Sequence, residues 1–348
     1  MRFRSERKKI DGIFLILVLA LVGFGLMMLS SAAGPLGYAR FGDTLYFVKH
    51  QALYGILPGL AVLLVMMKIP YGWWKRMAAP LLVISLVLLA LVFIPGIRAE
   101  FGTARSWVRF GFFSFQPSEI VKLTFLFYLA AWFESRGEGG VRRWRTGFLP
   151  FLGVLGLIVA LLLRQPDTGS MAVIALEALA VFFVAGSSLT HLVLTGGAGL
   201  VLLGILLKLS PYRAARFMTF LHPELDPQGI GYHINQALLA LGSGGIFGLG
   251  YGHSRQKFQY LPEVYGDSIF AVIGEELGLF FSLLIVFGFL ALFFRSVRIA
   301  QNAPDPFAKY FAIGVGAWFT IQAFVNIASM IALLPITGVT LPFVSYGG

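Results

Sequence analysis

The stretch IFLILVLALVGFGLMMLSSAAGPLGYA, residues 13–39, contains no Asp, Glu, Lys or Arg and decides the class of fold. About 20 apolar residues in a helix cross the hydrocarbon core of a bilayer. Only 12% of the chain is charged and 58% is hydrophobic, whereas soluble domains carry roughly 25% charged residues. The sequence therefore predicts a polytopic integral membrane protein. Other charge-free stretches lie at 77–97, 146–163, 178–207, 277–294 and 310–348.

Dividing the apolar runs at Gly, Pro and charge clusters predicts an all-α bundle that forms a single membrane domain over residues 1–348. The basic start resembles that of a signal peptide. The apolar segment after it, however, is longer than the apolar h-region of a signal peptide, which has roughly 7–15 residues, so we expect a retained first helix. Nine spans are visible, and a tenth, returning helix is expected beyond the end of the chain. The nine are expected near residues 13–32, 46–67, 77–95, 117–134, 147–164, 168–187, 189–209, 268–294 and 308–334.

The distribution of basic residues predicts the orientation of the bundle. With the N-terminus inside, fifteen Lys and Arg fall in cytoplasmic segments and eleven in external ones, which agrees with the excess of basic residues in cytoplasmic loops. The net charge of +11 is therefore attributed to topology rather than to nucleic-acid binding. Two long connections, 96–115 and 210–266, then lie outside. Long connections rich in charge and Gly usually carry function, so we expect the chemistry there.

The charged residues of the external segments are candidates for substrate binding. Guanidinium groups bind phosphate oxygens in bidentate fashion, so an Arg-rich outer face favours a polyanionic ligand, with contact to lipid head groups as the alternative. The candidates are Arg105, Arg109, Arg213, Arg216, Arg255, Lys257 and Glu263.

Ionisable residues at helix starts or within spans form a second group of candidates, because burying a charge in hydrocarbon is expensive. Glu119 and Lys122 stand three residues apart on one helical face, which favours a structural ion pair. The sixth span offers Asp167 or Thr168 as its N-cap. The group also contains Glu275 and Glu276 of the eighth span.

Asp267 opens the eighth span from the outer side. An N-cap role would explain it, although the capping box is absent because Phe270 stands three residues later. A carboxylate at the mouth of a helix, beside apolar surface and an Arg-rich segment, can also be tuned as a general base. The residues alone favour neither role over the other.

Several motifs, taken in order, resemble those of the SEDS proteins (shape, elongation, division, sporulation). The two longest are SRQKFQYLPEVYGDSIFAVIGEELG at 254–278 and GVTLPFVSYGG at 338–348, and further matches lie at 107–119, 165–169 and 226–232. The resemblance covers essentially the whole chain. It departs from the usual pattern beside Asp267, where Ala-His-Thr normally precedes the aspartate and Phe follows; here Val264-Tyr265-Gly266 precede it and Ser268 follows.

The resemblance implies a ten-span fold and a peptidoglycan glycosyltransferase that polymerises lipid II at the outer face of the bacterial cytoplasmic membrane. It places the family's essential aspartate at Asp267, which would take the proton from the acceptor's 4-hydroxyl in an inverting reaction. Arg and Lys residues of the outer segments would bind the diphosphate, alone or with a divalent cation, Mg²⁺ or Mn²⁺.

The resemblance also implies partners. A single-span class B penicillin-binding protein is expected to pack against the outermost helices, with Met330 of the ninth span as a candidate contact, and other division proteins are expected to bind. Two different classes of function remain as alternatives: a transporter that flips lipid II, using the intramembrane carboxylates, and a scaffold without catalytic activity.

Overall fold

A computed structural model describes residues 10–94, 98–101, 104–110, 113–222 and 229–347. Within these ranges the first half of the chain contains α1 (Gly12–Ala32), α2 (Gly34–Phe41), α3 (Tyr46–Gln51), α4 (Leu57–Lys68), α5 (Tyr71–Leu91), β1 (Arg98–Phe101), β2 (Ala104–Phe110), β3 (Phe113–Phe115) and α6 (Pro117–Val141). The second half contains α7 (Leu149–Arg164), α8 (Thr168–Val184), α9 (Leu189–Leu209), α10 (Pro211–Leu221), α11 (Ile230–Gly244), α12 (Ile269–Gln301) and α13 (Pro306–Met330). The π-helical turns Ala52–Ile56 and Trp144–Phe148 precede α4 and α7.

The predicted helical membrane bundle is confirmed. Seven helices in the described ranges are long and apolar enough to span a membrane: Gly12–Ala32, Tyr46–Lys68, Tyr71–Leu91, Trp144–Arg164, Leu189–Leu209, Ile269–Gln301 and Pro306–Met330. The shorter α8 is apolar, and α6 has 25 residues and carries Glu119 and Lys122 in its first turns. Each of the nine predicted spans thus has a helix at its position.

The connection at 96–115 contains a small antiparallel sheet, which the sequence analysis treated as loop. The strand order is β1-β2-β3, and Val108 of β2 lies opposite Arg98 of β1 and Phe115 of β3. Strand β2 reads ARSWVRF, and aromatic and β-branched residues favour strands. A strand of seven residues is too short for its alternation to stand out beside long apolar helices.

The connection at 210–266 also contains regular structure. It begins with α10, whose N-cap Ser210 accepts a hydrogen bond from the backbone N–H of Arg213, and it continues with α11. The glycine run at 242–252 begins in the last residues of α11. It packs against α12, at the point where that helix is interrupted.

Helix α12 is broken at Gly278, which has φ 77° and ψ −173°. A break inside a membrane helix leaves backbone groups that must find partners. The glycine-rich segment supplies them: Leu249 and Gly250 donate to the carbonyls of Glu275 and Glu276 at 2.9 and 3.0 Å. In return, Leu279 and Phe280 donate to the carbonyls of Gly245 and Ile246 at 3.0 and 3.1 Å. The connection between α11 and α12 is therefore fastened to the N-terminal part of α12.

Two buried apolar clusters share α13. One joins α5, α6, α7 and α8 to the beginning of α13, and the other joins α1, α11 and α12 to its end. Met330 lies inside the second cluster and is 1% exposed. The expectation that Met330 contacts a partner protein is therefore wrong, because its side chain is already enclosed by this chain.

The break in α12 predicts a strong effect of a single methyl group at Gly278. A Cβ there would overlap the backbone N of Gly248, and this backbone conformation, which is nearly confined to glycine, costs an L-residue roughly 1–3 kcal/mol. We expect Gly278→Ala to lower the melting temperature of the purified protein clearly. Gly288→Ala in the same helix is the control, since its Cβ would meet only Leu21 at an ordinary 3.7 Å. Equal melting temperatures for the two variants would contradict this view of the break.

Candidate functional site

Asp267 lies just before α12, beside residues of the second core cluster. Helix α12 begins at Ile269 and Ser268 occupies its N-cap position, so Asp267 is one residue too early to be the cap. Its side chain is buried, with 8% of the residue exposed. Asn326 of α13 donates from Nδ2 to the Asp267 carbonyl at 2.7 Å and to the Val339 carbonyl at 2.8 Å. This amide fixes the backbone of Asp267 to a long central helix.

The carboxylate of Asp267 faces the hydroxyl of the next residue. Ser268 Oγ lies 3.4 Å from Asp267 Oδ1 and donates to the carbonyl of Pro262 at 2.7 Å. His233 of α11 places its Nε2 at 2.6 Å from the same hydroxyl. Through these contacts α11, the loop before α12 and α12 itself meet at one point.

The electrostatic surroundings of Asp267 favour its protonated form more than water does. The pKa of Asp267 is raised to about 7, first by burial and then by the negative charge of Glu263, against the lowering effects of the Ser268 hydroxyl and of Arg216. Burial also lowers the pKa of His233 to about 4, so this imidazole is neutral at neutral pH. A carboxylate with a pKa near the working pH is suited to general-base chemistry.

The segment that follows α13 closes over the same loop. Ser345 Oγ donates to the carbonyl of Gly266 at 2.7 Å, and the N–H of Tyr346 donates to the carbonyl of Tyr265 at 2.8 Å. The two longest motifs of the sequence, at 254–278 and 338–348, are thus in direct contact around Asp267.

The predicted substrate-binding residues divide into those near Asp267 and those elsewhere. Arg216 and the exposed Glu263 lie close enough to affect the pKa of Asp267. Arg216 donates to the carbonyl of Ile336, and Arg213 donates to the carbonyl of Leu163, both at 3.4 Å. Arg255 is exposed. The backbones of Arg105 and Arg109 lie in β2, whereas their side chains lie outside the described part of the structure.

Lys257 was predicted to bind substrate, and it is instead part of a buried ion pair. Its Nζ lies 2.8 Å from Glu276 Oε1, and the two side chains are 4% and 0% exposed. It also donates to Ser31 Oγ of α1 at 2.9 Å and to the carbonyl of Gly252 at 2.7 Å. With every one of these contacts inside the protein, the ammonium group anchors the connection between α11 and α12.

Glu275 and Glu276 perform the same anchoring from α12. Glu275 accepts hydrogen bonds from the hydroxyl of Ser254 and from the backbone N–H of Arg255, the latter at 2.9 Å. Glu276 accepts one from the N–H of Gly252 at 3.0 Å. Their carboxylates bind the connection rather than lining an open path through the membrane.

The predicted ion pair of α6 is present and extends further than expected. Lys122 Nζ lies 2.7 Å from Glu119 Oε1 and 2.6 Å from Gln322 Oε1 of α13. Gln322 in turn donates to the carbonyl of Thr340 at 3.1 Å. This pair therefore connects α6 to the segment that closes over the site.

Asp167, not Thr168, is the N-cap of α8. Its Oδ1 accepts from the N–H of Ser170 at 3.0 Å, and Gln116 donates to its Oδ2 at 2.8 Å. Thr168 is the first residue of the helix. The carboxylate thereby joins the start of α8 to the start of α6.

Sequence reasoning missed His233 and Asn326. Gln322 and Asn326 stand one helical turn apart within an apolar span, and buried amides need partners, so this spacing was an available signal. For His233 the only signal was its place directly after the motif at 226–232. Within the described ranges no group of three or more His, Asp or Glu side chains could hold a metal ion.

The fold and site define a class: a multi-span helical membrane protein with a buried, titratable aspartate where its long connection enters a span. A family model described as a cell cycle protein, FtsW/RodA/SpoVE, matches residues 12–348. The chain belongs to the FtsW/RodA/SpoVE family, which confirms the resemblance to SEDS proteins.

Named relatives and solved structures are similar to this chain over nearly its full length. A probable peptidoglycan glycosyltransferase FtsW of Trichlorobacter lovleyi is 41% identical over 97% of this chain and 88% of its own length. The stage V sporulation protein E of Bacillus subtilis is 40% identical over 99% and 93%. A chain from a peptidoglycan synthase complex superimposes with a TM-score of 0.78 at 28% identity, covering 97% and 91%. The rod shape determining protein RodA of Thermus thermophilus gives 0.67 at 28% identity, covering 97% and 90%.

The buried ion pair predicts that replacing Lys257 destabilises the protein. A residue that only binds a ligand would not have this effect. Removing one partner of a buried pair leaves an uncompensated charge, which costs about 3–5 kcal/mol. We expect Lys257→Met to lower the melting temperature strongly, and the double variant Lys257→Met/Glu276→Gln to recover part of the loss.

Lys49→Met is the matched control. It breaks a pair with Asp43 in which the side chains are 61% and 36% exposed, and exposed pairs contribute about 0–1 kcal/mol. A melting temperature for Lys257→Met equal to that of Lys49→Met would show that Lys257 is not an anchor.

Proposed function

We propose that this chain is a peptidoglycan glycosyltransferase that polymerises lipid II into β-1,4-linked glycan strands during cell division. The observation that carries the proposal is the buried carboxylate of Asp267 with its pKa near 7. Asp267 belongs to the motif at 254–278 and lies beside the motif at 338–348, in a chain whose relatives are named as probable peptidoglycan glycosyltransferases.

In the proposed reaction Asp267 acts as the general base. Its ionised carboxylate accepts the proton of the acceptor's 4-hydroxyl while that oxygen bonds to the anomeric carbon of the donor. The bond from this carbon to the donor diphosphate breaks on the opposite face, so an α-linked donor gives a β-linked product. One base is sufficient, because the leaving diphosphate needs charge stabilisation rather than protonation by a strong acid.

The diphosphate is proposed to bind beside Asp267 on the basic residues of the outer connections. Arg216 is the first candidate, because its positive charge is close enough to lower the pKa of Asp267 and guanidinium groups bind phosphate oxygens well. Arg105, Arg109, Arg213 and Arg255 remain proposed contacts. A divalent cation, Mg²⁺ or Mn²⁺, would add positive charge at the diphosphate of the donor.

The location and partners follow from the same proposal. The chain is a multi-pass membrane protein, and we propose that it lies in the bacterial cytoplasmic membrane with its N-terminus inside and Asp267 outside. Similarity to a chain from a peptidoglycan synthase complex supports a class B penicillin-binding protein as its partner. Other division proteins are proposed to bind as well.

Replacing the base by its amide is the direct test. We expect Asp267→Asn to reduce polymerisation of purified lipid II by about 10²–10⁴-fold, the contribution of a positioned general base. The melting temperature should stay close to that of the parent, because the backbone contact from Asn326 is unaffected. Glycan strands would be separated by gel electrophoresis and quantified.

Asp43→Asn supplies the control, since it changes an exposed external carboxylate in the same way. Polymerisation by Asp267→Asn at the parental rate would refute the role of Asp267 as base. A parent that moves lipid II across vesicles without forming glycan would instead favour the transporter.

The pKa of Asp267 predicts the pH dependence of the reaction. A base must be ionised, so kcat/KM should rise with pH and reach half of its maximum at about pH 7. The charge of Glu263 raises this pKa, so Glu263→Gln should move the half-maximum to lower pH. Glu119→Gln is the control and should leave the profile in place, because Glu119 is paired with Lys122 in α6. A Glu263→Gln profile that coincides with that of the parent would contradict this assignment.

A further inference from the structure

The hydroxyl of Ser268 is the centre of a buried hydrogen-bond cluster that the proposed reaction does not yet use. Ser268 is 0% exposed. Its Oγ lies 2.7 Å from the carbonyl oxygen of Pro262, 2.6 Å from His233 Nε2 and 3.4 Å from Asp267 Oδ1. Three groups, one from α11 and two from the loop before α12, thus converge on one oxygen atom.

Counting protons assigns the direction of each hydrogen bond. The carbonyl of Pro262 can only accept, and a hydroxyl has one proton and two lone pairs. With the Ser268 proton directed to Pro262, the bond to His233 requires an N–H at Nε2, so the neutral imidazole donates. One lone pair of Ser268 then accepts from His233, and the other faces the carboxyl group of Asp267.

This arrangement serves both protonation states of Asp267. When Asp267 is ionised, the Ser268 hydroxyl can rotate its proton from Pro262 to Asp267 Oδ1. Once the carboxyl group has taken a proton, its own O–H can donate to the free lone pair of Ser268. His233 remains the donor to Ser268 in both states and keeps the oxygen in place.

We propose that Ser268, held by His233, is a positioning residue that orients the carboxyl group of Asp267 throughout the transfer reaction. The inference rests on the proposed function. Its observations are the contacts of the Ser268 hydroxyl with Pro262, His233 and Asp267. His233 acts only through Ser268 and does not reach Asp267 directly.

The test compares variants of the full-length chain in the lipid II polymerisation assay. Ser268→Ala removes one atom and should lower kcat about tenfold, the effect of losing a hydrogen bond to a charged group. The KM for lipid II should stay within about twofold, since the contact acts on the base rather than on substrate binding. His233→Leu should reproduce this result, whereas His233→Gln, whose amide can still donate, should keep most of the activity.

The double variant shows whether the two residues act as one unit. Because His233 acts through Ser268, Ser268→Ala/His233→Leu should be no slower than Ser268→Ala, a non-additive result expected of contacting residues. Ser296→Ala and His191→Gln are matched controls: Ser296 is buried in α12 and donates to the carbonyl of Leu292 at 2.9 Å. His191 is buried in α9, where its ring stacks on Phe148. Both should polymerise at the parental rate.

Each outcome bears on a different statement. Ser268→Ala with the parental kcat, or full additivity in the double variant, overturns the positioning role while the proposed function stands. A loss that appears in KM alone, or an equal loss in His233→Gln and His233→Leu, also overturns it. A parent that forms no glycan from lipid II, with its partner transpeptidase present, overturns the proposed function and this inference with it.

Discussion

The break of α12 at Gly278 is the constraint on which the packing around Asp267 depends. Unpaired backbone groups inside a membrane cost several kcal/mol each, so an interrupted span needs a second segment beside it. The glycine-rich turn at 245–250 supplies four backbone hydrogen bonds to the positions around the break. Gly244 and Gly248 approach α12 so closely that a Cβ on either would overlap its backbone. The connection between α11 and α12 is therefore packed into the helical bundle, and the loop before Asp267 takes its position from there.

Buried charge reinforces this attachment. The N-terminal part of α12 carries Glu275 and Glu276, and the same connection contacts them with Lys257, the Ser254 hydroxyl and several backbone N–H groups. A carboxylate in hydrocarbon needs such compensation, and the compensation comes from the segment that must be held. A polar residue in a span thus has two possible uses, catalysis or anchoring, and its partners decide between them.

The long helices could be predicted from the sequence because a run of about 20 apolar residues is long enough to cross a bilayer and too apolar to face water. Asp267 could be selected because it combines a charge, a helix start and an Arg-rich neighbourhood. The sequence did not predict the strands β1–β3 or the helices α10 and α11. Their sequence patterns are short, and their formation depends on packing against the rest of the chain. Lys257 was assigned to substrate because sequence shows its charge but not its partner. His233 and Asn326 were missed because a neutral polar residue becomes informative only when its hydrogen bonds are known.

Asp267 combines two demands that oppose each other. A carboxylate with a high pKa is a stronger base, but less of it is ionised at neutral pH. Burial and Glu263 raise the pKa of Asp267, whereas Arg216 and Ser268 lower it, and the positive end of the α12 dipole also favours the ionised form. With a pKa of about 7, Asp267 is a stronger base than an ordinary carboxylate and is still partly ionised at neutral pH. Asn326 holds the backbone of Asp267 and Ser268 contacts its carboxyl group, so this group can change its charge without changing its place, and such preorganisation is what the proposed proton transfer requires.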